Sequence, residues 1–208
     1  MSFLSYLING VSLGSVYAII ALGYTMVYGI AKMLNFAHGD IIMVGSFAAY
    51  IAMISAGVSP IVSVLLAMVI CTVLGLLIER IAYKPLRSAP SLAVLITAIG
   101  VSYFLQNMAL LVFGSDTKTF PNVVSFGGIS LAGGSLQISG VTIVTVAACI
   151  VIVVGLSLFI NKSKAGQAML AVSEDRGAAQ LMGINVNKTI ALTFAIGSAL
   201  AAVAGVLL

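Results

Sequence analysis

The chain has 208 residues, of which 62% are hydrophobic and only 7% are charged. A soluble domain carries about 25% charged residues, so this composition excludes a globular protein surrounded by water and predicts an integral membrane protein. The net charge of +4 does not indicate nucleic-acid binding, because no basic patch is interleaved with aromatic residues. The basic residues instead lie in loops beside apolar runs, as the positive-inside rule expects.

The first predicted element is an uncharged apolar run from Phe3 to Ala31. A helix needs about 20 apolar residues to cross about 30 Å of hydrocarbon, so this run predicts a transmembrane helix. Within it, Gly10 and Gly14 form a GxxxG spacing, which predicts close packing against another helix.

The second apolar run, Ile41 to Ile54, is short and follows the polar stretch KMLNFAHGD. As a helix it would extend only about 21 Å, so either the helix extends back through Asn35 and His38 or the segment is broken or re-entrant. Polar groups at membrane depth must line a cavity or be buried in protein. This predicts a translocation path at Asn35, His38 and Asp40. The alternative is an ordinary interfacial turn in which Asp40 is a helix N-cap.

Two further membrane-spanning helices are predicted at Ile61 to Ile78 and Leu92 to Phe113. The loop between them, residues 79–91, is short and has an excess of basic residues, which places it in the cytoplasm. The polar side chains of the second of these helices are expected to bond between helices rather than to bind substrate. They are Thr97, Ser102, Gln106 and Asn107.

The stretch from Gly114 to Gly140 is rich in Gly and Ser and predicts a small hairpin-like excursion on the external side. Its two alternating runs lie around Val124 to Phe126 and Leu136 to Ile138. The next helix, Val141 to Ile160, is expected to cross back to the side of the charged loops. Ile190 to Leu208 begins a last helix, and the chain stops inside that apolar run, so we expect a truncated C-terminus.

These segments predict an all-α polytopic membrane protein with about six transmembrane or re-entrant helical segments. Residues 1–208 are expected to form a single transmembrane domain. The two basic loops, residues 79–91 and 161–188, fall on the same side whether or not the short segment spans the membrane. If it spans, the N-terminus is external; if it is re-entrant, the N-terminus is cytoplasmic.

A polar loop, Asn161 to Lys188, lies between the last two predicted helices. The i, i+3, i+4 spacing of one helix face recurs in it at Ala178, Leu181 and Met182. Asp175 is a predicted N-cap of that short helix, and Gly183 is a predicted stop. Such a helix can dock into a partner protein, or it can lie on the bilayer surface.

Groups that could perform catalysis are scarce. His38 is the sole histidine, and Cys71 and Cys149 lie within apolar runs as packing residues, so no metal site is predicted. The sequence contains no Ser-His-Asp set and no GxxxxGK[ST] phosphate-binding loop. We therefore expect no catalytic centre, no cofactor and no ATP site in this chain. Energy for uphill transport would have to come from a partner or an ion gradient.

Five stretches of the sequence carry a resemblance to a known family. They are NGVSLGSVYAIIALGYTMVYGIAKMLNFAHGDIIMVGS from Asn9 to Ser46, ERIAYKPLR from Glu79 to Arg87, Thr97 to Gly100, Phe104 to Asn107, and EDRGAAQLMGINVNKTIALTFAIGSALAAVAG from Glu174 to Gly205. In this order they resemble the LivH-type permeases of bacterial high-affinity branched-chain amino acid ABC transporters. The resemblance covers nearly the whole chain and is weakest between Ser115 and Ser139.

The resemblance implies a non-enzymatic importer subunit of the bacterial inner (plasma) membrane, passing the membrane several times and in contact with membrane lipid. It would form the path for leucine, isoleucine and valine. The implied partners are a second homologous permease, two ATP-binding cassette ATPase subunits and a periplasmic solute-binding protein, with no nucleic acid.

The polar loop, residues 161–188, resembles the EAA loop of this family, whose helix sits in a groove of the ATPase. Gly177 stands where the general pattern has Glu, and the later Ile-x-Leu-Pro is missing. The residues implied in ATPase coupling are Glu174, Asp175, Ala178, Ala179, Leu181, Met182 and Gly183. A charge placed at the helix centre, as in Ala179→Arg, is expected to weaken the docked interface.

Two alternatives remain. A urea or short-amide ABC permease is the nearest one, because that branch shares the signature around Asn35 and His38. A gradient-driven secondary carrier or a channel is the second, because carriers place ionisable residues within their spans, and here Asp40 and His38 are the candidates.

Overall fold

The computed structural model describes residues 2–120, 128–131 and 136–208. Its α-helices are α1 (Ser2–Ala31), α2 (His38–Ile54), α3 (Pro60–Ile78), α4 (Ser91–Phe113), α5 (Gly140–Lys162), α6 (Lys164–Glu174), α7 (Arg176–Leu181) and α8 (Val186–Leu207). A π-helical turn, Glu79–Tyr83, and a 3-10 turn, Lys84–Leu86, continue α3. Two short strands, β1 (Ile129–Leu131) and β2 (Leu136–Ile138), lie between α4 and α5.

Five helices of the described chain are long and apolar enough to cross a membrane, namely α1, α3, α4, α5 and α8. Helix α2 has only 17 residues, which corresponds to about 25 Å. It begins at His38, one turn before the apolar run that starts at Ile41, but it does not include Asn35. The predicted all-α polytopic membrane fold is confirmed.

Short polar side chains and one glycine define the ends of the loop helices. Ser163 Oγ accepts a hydrogen bond from the Gly166 N–H at 2.9 Å and begins α6, and Asn185 Oδ1 accepts from the Lys188 N–H at 3.0 Å and begins α8. Both are the N-cap geometry that leaves fewer helix donors unsatisfied. A Cβ at Gly166 would collide with the backbone of Ile160, so glycine permits the sharp turn from α5 into α6.

Helix α8 is the centre of the bundle and packs against α1, α2 and α3. Small residues allow its backbone to approach its neighbours closely. A Cβ added at Gly197 would lie 3.0 Å from the carbonyl oxygen of Gly23 in α1. Near the other end of α8, Ser46 Oγ of α2 donates a hydrogen bond to the Gly205 carbonyl at 2.6 Å. These contacts fix α1 and α2 to the same central helix.

The close packing predicted at Gly10 and Gly14 is wrong for the described part of this chain. A Cβ at either position would meet nothing within 4 Å. The glycine that α1 uses for helix packing is Gly23, nearer its C-terminal end, because α8 crosses α1 there.

The two basic loops, residues 79–91 and 161–188, lie at the same end of the molecule, as predicted. Arg87 of the first loop donates a hydrogen bond to Asn187 Oδ1 in the first turn of α8. Its guanidinium also forms an ion pair with Glu79. We refer to this end as the charged end.

The path of the second segment follows from its contacts. The C-terminal end of α1 lies at the charged end, because the Arg176 guanidinium donates a hydrogen bond to the Ala31 carbonyl. Phe47 of α2 stacks on Phe113, the last residue of α4, with ring centroids 4.3 Å apart. Helix α2 therefore runs away from the charged end. The second segment completes a crossing, and the start of α1 lies at the opposite end.

The predicted hairpin is present as an antiparallel pair of β1 and β2, with Ile129 opposite Ile138. The second predicted run, Leu136 to Ile138, coincides with β2. The first, Val124 to Phe126, lies outside the described residues, and the strand that pairs with β2 is Ile129–Leu131.

Candidate functional site

The second membrane segment is broken where its polar residues lie. Helix α1 ends at Ala31, and Lys32 follows with φ of 51°, a left-handed conformation that is uncommon for a residue other than glycine. Residues 32–37 are not helical. They lead back along α1, because the ring of His38 contacts that of Tyr24, about 10 Å along the helix from Ala31. Helix α2 thus begins at depth within the bundle.

Asn35 lies in this non-helical stretch and is 2% exposed. Its Oδ1 accepts a hydrogen bond from the Tyr83 hydroxyl at 3.0 Å. Tyr83 belongs to the π-helical turn after α3 and is itself 1% exposed, with its ring 5.3 Å from that of Phe194 in α8. Asn35 therefore connects the broken segment to the end of α3.

His38 is the first residue of α2 and faces α1. Its ring is 3% exposed and contacts Tyr24 edge-to-face, with centroids 5.9 Å apart. A Cβ added at Gly23 would lie 3.0 Å from the imidazole, so the absence of a side chain there makes room for the ring. The Nε2 atom is buried and makes no hydrogen bond of good geometry with the described residues, although the backbone of Ile20 lies close to the imidazole.

Asp40 lies in the first turn of α2 and faces α4. Its Oδ1 accepts a hydrogen bond from Gln106 Nε2 at 3.0 Å, while Oδ2 is buried with no partner in the part of the chain that is described. The N-cap position of α2 is Ala37, which makes no side-chain cap bond. The alternative of Asp40 as an N-cap is therefore wrong. A negative charge in the first turn still interacts favourably with the helix dipole.

Of the polar residues on α4, Gln106 makes the predicted bond to another helix. It also donates to Ser102 Oγ at 3.1 Å within α4. The prediction is wrong for Thr97 and Asn107, which bond to backbone carbonyls of their own helix at 2.9 Å and 2.7 Å. One donor in α4 thus serves the buried carboxylate of α2.

We refer to Asn35, His38 and Asp40 as the polar cluster. They share the broken segment, but each side chain faces a different neighbour: the end of α3, α1 and α4, respectively. The broken segment therefore links three surrounding helices through polar or aromatic contacts. Two of its buried atoms keep unused hydrogen-bonding capacity, which is costly inside a protein and typical of functional polar groups at membrane depth.

The second predicted site is the loop at the charged end, where α7 has the predicted boundaries. Asp175 Oδ1 accepts hydrogen bonds from the N–H groups of Gly177 and Ala178 at 2.7 Å and 3.0 Å, so it is the N-cap. Gly183, with φ of 83°, follows the last turn. The Gly183 N–H donates a hydrogen bond to the Gln180 carbonyl, and the Ile184 N–H donates to the Ala179 carbonyl, both at 3.0 Å. This is a Schellman closure, and both predictions are confirmed.

The outer face of α7 is apolar and unusually open. Leu181 is 91% exposed and Met182 is 82% exposed, and Ala178 lies beside them on the exposed surface. Glu174 and Asp175, also exposed, flank this face as a polar rim. Two large apolar side chains exposed together at a loop mark an interaction surface rather than a folded core.

Ala179 differs from the expected arrangement. It is only 3% exposed, because the capped turn directs it into the chain's own core together with Met169 and Val172 of α6. It therefore does not face a partner, and Ala179→Arg would disrupt packing within this chain. The exposed apolar surface consists of Ala178, Leu181 and Met182, which we refer to as the outer face of α7.

Two arginines tie the loop to the membrane helices, a feature that the sequence pattern did not reveal. Arg176, the first residue of α7, donates to the Ala31 carbonyl at the end of α1. Arg87 joins Glu79 to Asn187. Burial, and then the positive charge of Arg87, lower the pKa of the Arg176 guanidinium. The basic residues of these loops therefore have structural partners as well as the side preference that the sequence indicated.

Comparison with known proteins places the chain among transport permeases. The family model described as "Branched-chain amino acid transport system / permease component" matches residues 6–208. The high-affinity branched-chain amino acid transport system permease protein BraD of Pseudomonas aeruginosa is 44% identical over 218 residues, covering 99% of this chain and 70% of the relative. The corresponding protein LivH of Escherichia coli is 45% identical over 219 residues, with the same coverage.

A more distant relative is the protein of Methanocaldococcus jannaschii named "Probable branched-chain amino acid transport permease protein LivH". It is 31% identical over 197 residues, which cover 91% of this chain and 61% of the relative. No solved structure matches the chain.

Proposed function

The chain belongs to the family of branched-chain amino acid transport permease components, and from this premise we propose that it is one permease subunit of an ABC importer for leucine, isoleucine and valine. It is a multi-pass protein of the bacterial inner membrane. In this proposal it forms part of the translocation path. Partner subunits hydrolyse ATP, and a periplasmic binding protein delivers the amino acid.

The observation that carries the proposal is the outer face of α7. Leu181 and Met182 are almost fully exposed on a helix whose two ends are fixed by a side-chain cap and a Schellman turn. A carrier driven by an ion gradient does not need a contact surface for an ATPase. A permease that must sense the closing of an ATPase does. Burying one such side chain contributes about 1.5–3 kcal/mol.

A movement of the ATPase can be transmitted to the membrane helices through one contact of α7. Helix α7 begins at Arg176, whose guanidinium bonds to the Ala31 carbonyl, and residues 32–37 follow immediately. In this proposal, a displacement of α7 pulls on the junction between α1 and the broken segment. The polar cluster at the far side of that segment then changes its contacts with α1, α3 and α4.

The polar cluster borders the translocation path in this proposal. His38 Nε2 and Asp40 Oδ2 make no hydrogen bond of good geometry in the described structure, so water or a rearranged side chain can bond to them when the bundle opens. The amino acid itself is selected mainly by the binding protein. A second, related permease subunit completes the path, because the described helices enclose these residues within one bundle rather than around a continuous channel.

Uptake in cells tests the proposal. The protein would be expressed with its partner subunits in bacteria that lack their own branched-chain amino acid permeases, and uptake of radiolabelled leucine would be measured. We expect saturable uptake that stops when the ATPase partners are inactivated and persists under a protonophore while ATP is maintained. Uptake that survives ATPase inactivation and collapses under the protonophore would establish a secondary carrier instead. Uptake of labelled urea without leucine uptake would establish the amide branch of the family.

A further inference from the structure

At the charged end, a cleft of about 450 Å³ opens between the last turn of α1, the 79–91 loop and the first turns of α4. Three basic side chains line it: Lys32, Arg87 and Arg176. Its other walls include Tyr28, Leu92 and Leu95. The cleft therefore combines a cationic rim with an aromatic and aliphatic wall.

The charges around this cleft are not balanced within the described chain. Glu79 pairs with Arg87, but no acidic residue is among the described lining residues. The Nε of Arg87 is buried without a hydrogen-bond partner in the described structure. Burial, and then the positive charge of the nearby Arg87, lower the pKa of Arg176. Two guanidinium groups side by side with one carboxylate leave room for an additional anion.

The position of the cleft identifies the anion. Lys32 follows the last residue of α1, and Leu92 is the second residue of α4, so the cationic rim lies where membrane helices end. Tyr28 and Leu92 are 49% and 65% exposed. The apolar wall is therefore accessible from outside the helix bundle. Tyrosine at this level is typical of the membrane interface. An acyl chain can lie on such a wall, and a free phosphate cannot use it.

We propose that this cleft binds an anionic phospholipid of the cytoplasmic leaflet, with its headgroup phosphate at Lys32, Arg87 and Arg176 and an acyl chain along Tyr28, Leu92 and Leu95. Basic pockets between transmembrane helices on this side of a membrane recognise such headgroups. The lipid would fill the space beside the Arg176 contact with Ala31, which fixes α7 to α1. The site does not depend on the identity of the transported molecule.

Native mass spectrometry of the purified protein in detergent tests the site, with phosphatidylglycerol and phosphatidylcholine of identical acyl chains as probes. We expect the wild-type protein to retain phosphatidylglycerol preferentially. Arg176→Gln and Lys32→Gln should each lower that retention about fivefold, the contribution of one basic side chain near an anionic leaflet. Phosphatidylcholine binding should not change.

Two further variants and one competitor distinguish lipid binding in this cleft from a general charge effect and from binding of a small anion. Arg176→Lys should keep most of the retention, because the charge remains. Lys162→Gln, an exposed charge at the same end that does not line this cleft, should leave it unchanged. The bond that fixes α7 to the Ala31 carbonyl comes from Arg176 and not from Lys32, so Lys32→Gln tests lipid binding even if Arg176→Gln disturbs folding. Inorganic phosphate should not displace the lipid at millimolar concentration.

Several results would overturn the proposal. Equal retention of both lipids, or an equal loss of phosphatidylglycerol in Lys162→Gln, would reduce the effect to general attraction between a basic surface and an anionic leaflet. Efficient displacement by inorganic phosphate would make it a small-anion site. If Arg176→Gln and Lys32→Gln instead lose ATPase binding in bilayers of phosphatidylcholine alone, the cleft binds an acidic segment of that partner.

Discussion

The polar cluster and the outer face of α7 reverse the usual distribution of side chains in opposite ways. The polar cluster holds an amide, an imidazole and a carboxylate at 2%, 3% and 7% exposure among membrane helices. The outer face of α7 holds a leucine and a methionine at 91% and 82% exposure outside them. Both arrangements cost free energy in the isolated chain. Each is therefore expected to be used when the protein moves or binds, the first along the transport path and the second at a partner.

The two regions also differ in how they are fixed. The start and end of the helix that carries the outer face are determined by its own sequence, through Asp175 and Gly183 at its two ends. The polar cluster is held by hydrogen bonds from side chains that are distant along the chain, such as Tyr83 and Gln106. Damage to the first region should thus be local and affect partner binding, whereas damage to the second should change stability and transport together.

The largest expected effect comes from the double change Leu181→Glu with Met182→Glu. In the docked state, each charge would be buried without a partner at a cost of about 3–5 kcal/mol. Association with the ATPase should therefore weaken by more than about a hundredfold, and leucine uptake should fall to background. Co-purification of the ATPase and uptake by cells are the measurements.

The matched control is Gln180→Ala, which changes an exposed polar side chain on the same short helix and should preserve co-purification and most of the uptake. Membrane insertion should be normal in both variants, because neither change lies in a spanning helix. Full uptake by the double variant would mean that α7 is only a surface helix.

The next largest effect is expected for Asp40→Asn. The amide can still accept the hydrogen bond from Gln106, while the buried charge on the unpartnered oxygen is removed, so thermal stability in detergent should be equal or higher. Uptake should nevertheless fall about tenfold or more, because a buried charge at membrane depth is expected to serve the transport cycle. Asp116→Asn, on the exposed stretch after α4, is the control. Unchanged uptake with raised stability would remove Asp40 from the path.

A smaller effect is expected for Tyr83→Phe, which removes the hydroxyl that donates to Asn35 and leaves a buried acceptor unpaired. The cost should be about 1–2 kcal/mol, or a melting midpoint lower by several degrees for a chain of this size. Uptake should fall only a few-fold. Tyr103→Phe, at a position that is 63% exposed on α4, should change neither quantity. Equal stability of the two variants would show that Asn35 does not depend on this bond.

The smallest effect is expected for Asp175→Ala, which removes the N-cap of α7. Loss of such a cap costs about 1 kcal/mol and should appear as faster hydrogen exchange confined to the amides of α7. Its neighbour Glu174 makes no cap bond to α7, so Glu174→Ala serves as the control. Faster exchange in the membrane helices as well would contradict the local character of this region.

The sequence predicted those features that depend on neighbouring residues. The cap at Asp175, the stop at Gly183 and the hairpin strand at Leu136–Ile138 all follow from local chemistry and all are present. It also predicted that the basic loops share one end, because the positive-inside rule needs only loop composition.

The partners of the polar cluster lay beyond sequence reasoning. Tyr83 and Gln106 are separated from Asn35 and Asp40 by 48 and 66 positions, and their pairing is decided by how the helices cross. The contact from Arg176 to Ala31 spans 145 positions. Periodicity on one helix indicates which residues share a face but not which neighbour that face meets, and for this reason the inward orientation of Ala179 was also missed.

Labelling of Met182→Cys tests the central claim most directly. The native cysteines lie in α3 and α5, so the unmodified chain provides the background for a membrane-impermeant maleimide applied to inside-out vesicles. We predict rapid labelling when the permease is present without its ATPase partners and strong protection when the complete transporter is assembled. Equally rapid labelling in the two preparations would contradict the account, because the outer face of α7 would then remain open to solvent in the working transporter.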